Sequence, residues 1–223
     1  MRITIKDISN CIITETPDFL AIDKPAGLAV ETKKSGEPDL ISLVKKYRYE
    51  KGEDTYVAPI HRIDQVVSGV CLVAKNKETA AYLSEELQNN RITRIYEARV
   101  SGVIPEESGE LRDLLYFDKK KNISIAVPEK EIDKYPKGTV KKAVLRYTRL
   151  STDGENSVLK IKLETGRHHQ IRCQLANAGY PITGDEKYGG KKSDMPGIEL
   201  VSKCISFTGI DGKSYSIVSA INV

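Results

Sequence analysis

Residues 69–74 (G-V-C-L-V-A) are almost uninterrupted in apolar character, the pattern of a strand buried on both faces. Residues 158–163 (V-L-K-I-K-L) instead alternate apolar and basic positions, as a half-buried strand does. Leu40, Leu43, Val44 and Tyr47 share one stripe of a helix that Pro38-Asp39 opens and Gly52 follows. A second helix is predicted from Lys77 to about Leu87, capped by Asn76, with Ala80, Leu83 and Leu87 on its inner side. A third is predicted from His168, where Ile171, Leu175 and Ala178 recur at helical spacing and Gly179 stops the run. Further strands are predicted at residues 19–23, 93–100, 124–127 and 140–150, and a closing hairpin at 204–223 turns at Asp211-Gly212. Helices are few and do not alternate regularly with strands. The expectation is an α+β fold with a large antiparallel or mixed sheet, not a doubly wound one.

Two polar segments interrupt this apolar framework. Residues 61–69, H-R-I-D-Q-V-V-S-G, set a lone carboxylate, Asp64, after an Arg and an aliphatic residue and directly before the buried strand. A rigid strand displaying an acid, a His and an Arg at its mouth is a place for reactive groups; the bland alternative is an Asp that ends a turn or pairs with Arg62. Residues 163–185, L-E-T-G-R-H-H-Q-I-R-C-Q-L-A-N-A-G-Y-P-I-T-G-D, form the second segment. Here His168 and Arg172, four apart, are expected on one helical face, aimed at whatever faces the Thr165-Gly166 turn.

Together these segments resemble the RluA-type pseudouridine synthases. Asp23-Lys24-Pro25-Ala26-Gly27-Leu28 matches the first family signature, D-K-P-x-G-L. His61, Arg62, Ile63, Asp64, Ser68 and Gly69 match H-R-L-D-x-x-T-S-G, with Val67 where Thr is usual. Arg94-Ile95-Tyr96-Glu97-Ala98 with Gly102 corresponds to K-x-Y-x-A and its glycine, and Thr165 through Asp185 meets the last motif. Order and spacing agree across residues 17–190. The resemblance implies one catalytic domain over residues 1–223, a curved mixed or antiparallel sheet in two halves with a central cleft. Many relatives carry a small RNA-binding module in front, and its absence is expected here. Arg94 for Lys keeps the charge. Val67, His168, Gln174 and Tyr180 also depart from common residues, and these departures are expected to bear on substrate more than on chemistry.

The resemblance implies isomerisation of uridine to pseudouridine, with Asp64, Tyr96 and Arg172 as catalytic residues and Arg62, His61, Arg167, Gln170 and Ile171 as substrate-binding ones. Breaking N1–C1′ and forming C5–C1′ is neither redox nor hydrolysis, so no metal or organic cofactor is expected. Asp64 is the carboxylate that splits one hard step into two. Attack on C6, attack on C1′ and elimination through the sugar stay open. By resemblance Arg172 pairs with Asp64, Tyr96 lies against the uracil, and Arg62 enters the space the flipped base leaves. Two other readings exist. A metal-dependent hydrolase would use His61, Asp64, His168 and His169, although this spacing matches no known zinc site; His169 reads better as an imidazole fixing the turn. A non-catalytic RNA-binding protein would keep the fold without the reaction.

Composition narrows the setting. The 223 residues, 39% apolar and 30% charged, suit an ordinary globular chain. A net charge of only +4 excludes indiscriminate coating of nucleic acid and favours a local basic groove. Short clusters at Lys33-Lys34, Lys45-Lys46, Lys119-Lys120-Lys121, Lys141-Lys142 and Lys191-Lys192 are candidate phosphate contacts, though such runs are more often solvated. Cys11, Cys71, Cys173 and Cys204 are scattered without a C-x-x-C pair, and Cys71 and Cys173 read as small core residues. No signal-peptide or membrane-span pattern is present. A cytoplasmic monomer acting on structured RNA, ribosomal in preference to transfer RNA, is the expectation.

Overall fold

The structure is a computed structural model and describes residues 5–34 and 36–223. In chain order the elements are α1 (Ile5–Asn10), β1 (Ile12–Glu15), β2 (Phe19–Lys24), α2 (Leu40–Glu50), β3 (Ala58–Pro59), β4 (Ser68–Ala74) and α3 (Lys77–Gln88). They continue with β5 (Thr93–Ser101), β6 (Ser108–Asp118), β7 (Ile123–Ala126), β8 (Val140–Thr152), β9 (Asn156–Leu163), α4 (Gln170–Asn177), β10 (Leu200–Thr208) and β11 (Ser214–Val218), with 3-10 turns at Glu129–Lys134 and Glu186–Tyr188. This is the expected α+β composition. The chain divides into two compact units, one running to Arg94 and taking in Val201–Asn222, the other Ile95–Leu200.

In the first unit β4 is the central strand, and all seven of its residues are buried. β2 pairs with it antiparallel from Phe19↔Ala74 to Lys24↔Gly69, β1 continues antiparallel beyond β2, and β3 pairs antiparallel near its end. β10 runs parallel to its start at Val201↔Ser68, and β11 closes a hairpin on β10. A strand flanked on both edges and covered on both faces needs side chains without polar demands, which is what 69–74 supply. Its core joins Phe19, Ala21, Val70, Leu72, Ala74, Leu83, Ile205 and Phe207, with Phe19 edge-on to Phe207 at 5.3 Å and to Tyr215 at 4.9 Å. α3 brings Leu83 to this core. Its start is fixed by Asn76, whose side chain accepts from the Thr79 N–H at 2.8 Å. Asp39 and Ser42 cap α2 reciprocally.

The second unit is an antiparallel sheet in the order β5-β9-β8-β6-β7. Tyr96, Ala98, Leu159, Ile161 and Leu145 are buried along one face, while Lys160, Arg146 and Thr148 of the same strands are exposed on the other. α4 contributes Cys173 to a cluster with Leu115 and Ala143. α4 begins two residues later than the spacing predicts, because His169 takes a left-handed backbone (φ 49°, ψ 28°). His168 therefore precedes the helix and does not share a helical face with Arg172. β6 and β1 have no counterpart in the sequence expectation.

Candidate active site

Asp64 stands at the mouth of β4, in a turn closed by the Val67 N–H on the Asp64 carbonyl at 3.0 Å. That turn is held from the side by the D-K-P-x-G-L segment. Lys24, the last residue of β2, is 0% exposed, and its ammonium donates to the carbonyls of Leu28 (2.7 Å), Pro25 (3.0 Å) and Gln65 (3.3 Å). The Gly27 N–H donates to the same Gln65 carbonyl at 2.7 Å, and the Gln65 amide returns a bond to the Gly27 carbonyl at 2.9 Å. Gly27 has φ +89°, which a side chain would resist, so the glycine is what lets the turn face its partner. Burial pulls the Lys24 amine down to about 8, opposed by Cys71 and by the charge of Asp64. A motif that reads in the sequence as a turn is thus a clasp on the carboxylate's own loop.

His61 lies behind this loop. It is 6% exposed, and Nε2 accepts the Leu72 N–H of β4 at 3.2 Å, which puts the neutral ring's proton on Nδ1. Burial, and after it the charge of Arg94, pull its pKa down to about 3. Through this bond His61 braces the loop against the strand. Arg62 points the other way, its side chain 74% exposed, with Glu31 at 4.0 Å. Asp64 is half-buried.

In the second unit the T-G-R segment is fastened by Gln170. Its Oε1 accepts from the Thr165 hydroxyl (2.7 Å) and the Arg167 N–H (3.0 Å), and its Nε2 donates to the Val144 carbonyl of β8 (3.0 Å). Gln170 and Ile171 are both buried, and Gln170 ties the segment to β8. Arg167 is exposed, with Nε on the Lys142 carbonyl at 3.0 Å. Arg172 is 5% exposed and grips Asp185, itself 1% exposed, through Nε–Oδ2 at 2.7 Å and Nη2–Oδ1 at 2.8 Å. Its guanidinium lies 5.1 Å from the centre of the Tyr188 ring. His168 stacks between Phe117 and His169, 3.8 Å from each, and Ser124 holds it through Nδ1 at 3.1 Å. His169 Nδ1 is 2.9 Å from the Tyr188 hydroxyl; burial first, then Arg172, His168 and Lys187, pull it down to about 2. Tyr96 is buried on the inner face of β5 beside Ile161 and Ala98.

The structure therefore brings Asp64, Lys24, Gly27, Gln65 and His61 together in one unit, and Arg172, Asp185, Tyr188, His168 and His169 in the other. Sequence reasoning missed the roles of Lys24, Asp185 and Tyr188. Two departures from the family pattern prove to be interior: Val67 is 2% exposed, and Gln174 is 0% exposed with Nε2 on Asp113 of β6 at 2.8 Å. One nitrogen of each imidazole is bonded inside the protein, His61 Nε2 to Leu72, His168 Nδ1 to Ser124 and His169 Nδ1 to Tyr188. No helix among the described residues is long and apolar enough to cross a membrane.

Residues 18–177 match the family model described as RNA pseudouridylate synthase. The chain is 32% identical over 193 residues to the ribosomal large subunit pseudouridine synthase D of Haemophilus ducreyi, covering 86% of this chain and 56% of that one. It is 33% identical over 187 residues to the ribosomal large subunit pseudouridine synthase C of Buchnera aphidicola, covering 83% and 56%. It thus spans about half the length of the curated relatives it matches. Among solved structures, human RNA pseudouridylate synthase domain containing 1 superposes with a TM-score of 0.80 at 18% identity, covering 99% of this chain and 86% of that one. Human RNA pseudouridylate synthase domain containing 4 gives 0.78 at 18%, covering 96% and 89%. At that identity the likeness establishes the fold, and the sequence matches establish the rest: this chain belongs to the RNA pseudouridylate synthase family.

Proposed function

We propose that this protein isomerises uridine to pseudouridine in structured RNA, residues 1–223 acting as one catalytic domain. The observation that carries this reading is Asp64, half-exposed on a turn clasped by Lys24, Gly27 and Gln65, in a chain of this family. A carboxylate acting as nucleophile or base must meet its target within a few tenths of an ångström, and a clasped turn supplies that preorganisation. In this reading Asp64 and Arg172 are both catalytic, Tyr96 lies against the uracil, and the exposed guanidinium of Arg62 fills the place of the extruded base. Arg167 is exposed and serves the RNA backbone. The isomerisation conserves oxidation state and consumes no water, so the reaction draws on side chains alone.

Ribosomal RNA is the favoured substrate and transfer RNA the second; the names of the large-subunit relatives support that order. A net charge of +4 supports recognition through few phosphate contacts and splayed single-stranded bases, by a monomer in the cytoplasm. The test is Asp64→Asn, assayed with bulk RNA in EDTA by counting pseudouridine. The wild type should form it and the variant should not, while RNA affinity stays nearly unchanged because phosphate contacts dominate binding. Turnover by the variant at the wild-type rate would remove Asp64 from the chemistry, and RNA bound by the wild type without pseudouridine would favour the binding-only reading.

A further inference from the structure

Arg172 carries five N–H donors, of which Asp185 takes two in a forked pair. That pair fixes the plane and direction of the guanidinium, and three N–H groups beyond it are directed by the same constraint. Beneath that plane lies Tyr188. The Tyr188 hydroxyl accepts the Ser124 N–H of β7 at 2.8 Å and lies 2.9 Å from His169 Nδ1. Burial pushes the phenol up to about 12, so it stays protonated throughout the neutral range. His169 is the residue whose left-handed backbone begins α4, the helix that carries Arg172. Tyr188 therefore touches Arg172 through its ring and the start of Arg172's helix through its hydroxyl. Asp185 and Tyr188 lie three residues apart, joined by the Tyr188 N–H on the Asp185 carbonyl at 3.0 Å. Gly190 closes the segment: its N–H also donates to the Asp185 carbonyl, at 2.8 Å, and a Cβ there would fall 2.0 Å from the Ile182 carbonyl.

Resting on the proposed reaction, we propose that Asp185 and Tyr188 are positioning residues for it: together they set the orientation of Arg172. A buried carboxylate that only needed neutralising would accept any cation. The paired hydrogen bonds from Nε and Nη2, with a ring against the guanidinium, specify direction as well as charge. Neither residue needs to touch RNA.

The experiment compares wild type, Asp185→Asn, Tyr188→Phe, Arg172→Lys and the double variant Arg172→Lys/Asp185→Asn, each confirmed folded by circular dichroism. Readouts are kcat at saturating RNA and the RNA dissociation constant. Asp185→Asn should lower kcat about 100-fold, the scale of a misplaced reacting group. Tyr188→Phe, which keeps the ring and loses the hydroxyl's bonds to Ser124 and His169, should lower it about fivefold. RNA affinity should stay within about twofold in both, since phosphate contacts are untouched. The double variant should be no slower than its slower parent, because both changes break one device. Should Asp185→Asn not fold, Tyr188→Phe alone decides, and wild-type kcat in it overturns the proposal. Wild-type kcat in Asp185→Asn, or losses that multiply in the double variant, also overturn it while leaving the reaction standing. No pseudouridine from the wild type would bring down the reaction and this inference together.

Discussion

The imidazole of His61 makes acid stability a direct test of how the Asp64 loop is braced. Nε2 accepts the Leu72 N–H at 3.2 Å on a fully buried strand, so protonating it would set two N–H groups face to face and strand a charge out of water. That is the physical content of a pKa near 3 in place of 6.5. The sign follows from linkage. Between 6.5 and 3 the unfolded chain binds a proton at this ring and the native chain does not, so stability is full above 6.5 and is lost as pH falls through that window. At pH 4.5 the loss from this single group is about 3 kcal/mol, at roughly 1.4 kcal/mol per pH unit below the unfolded value. Against a typical domain stability of about 5–15 kcal/mol, that is a large share. The comparison is with His61→Gln, whose amide oxygen keeps an acceptor for Leu72 but binds no proton. Urea unfolding of both proteins at pH 7.5 and pH 4.5 cancels the contribution of every other titrating group. Wild type should lose about 3 kcal/mol more than His61→Gln over that interval. Equal losses would refute the buried, neutral bracing role.

Lys24 gives the alkaline counterpart. Its pKa falls from 10.5 to about 8, so between those values the native chain has shed a proton that the unfolded chain keeps, and stability rises with pH by up to about 3 kcal/mol. Lys24→Met should flatten that rise in urea midpoints measured from pH 7.5 to 10. Gly69→Ala places a Cβ 2.3 Å from the Ser202 carbonyl at φ +106° and should cost upward of about 3 kcal/mol in thermal unfolding. Gly27→Ala has open space at φ +89° and should cost only about 1–2 kcal/mol. Arg172→Met leaves Asp185 buried without its fork and should destabilise by about 3–5 kcal/mol, measurable in urea independently of any RNA assay.

The helices α2 and α3 were legible because stripe and cap coincide: Leu40, Leu43 and Val44 follow Asp39, and Leu83 follows Asn76. β4 was legible from its unbroken apolar run. β6 was not, because only Leu115 of its eleven residues is fully buried and L-L-Y-F breaks the period of two. The same strand carries Asp113, whose partners Gln174 and Asn177 lie more than sixty residues away, beyond what local pattern encodes. Asp64 and Arg172 stood out through their motifs, but what holds them did not. Lysine reads by default as a solvated residue, and the three acceptors that bury Lys24 are backbone carbonyls, which have no signature in a sequence. Asp185 ends the last motif, yet a separation of thirteen residues from Arg172 gives no sign of a fork.

Each unit thus spends a buried charge on orientation. Lys24 sits under the Asp64 turn with every ammonium proton matched to a carbonyl, and Asp185 sits under Arg172 with both oxygens matched to a guanidinium edge. Apolar replacements of similar volume would often be as stable or more so, since desolvating such groups offsets most of their attraction. What an apolar side chain lacks is direction: it fills space without fixing where a loop or a guanidinium points. The surrounding residues already supply cohesion, with β4 buried throughout and Leu145, Leu159 and Ile161 sealed in the second unit. Stability held in those apolar layers is what lets two costly ionic devices persist, one fixing the Asp64 turn and the other the Arg172 guanidinium.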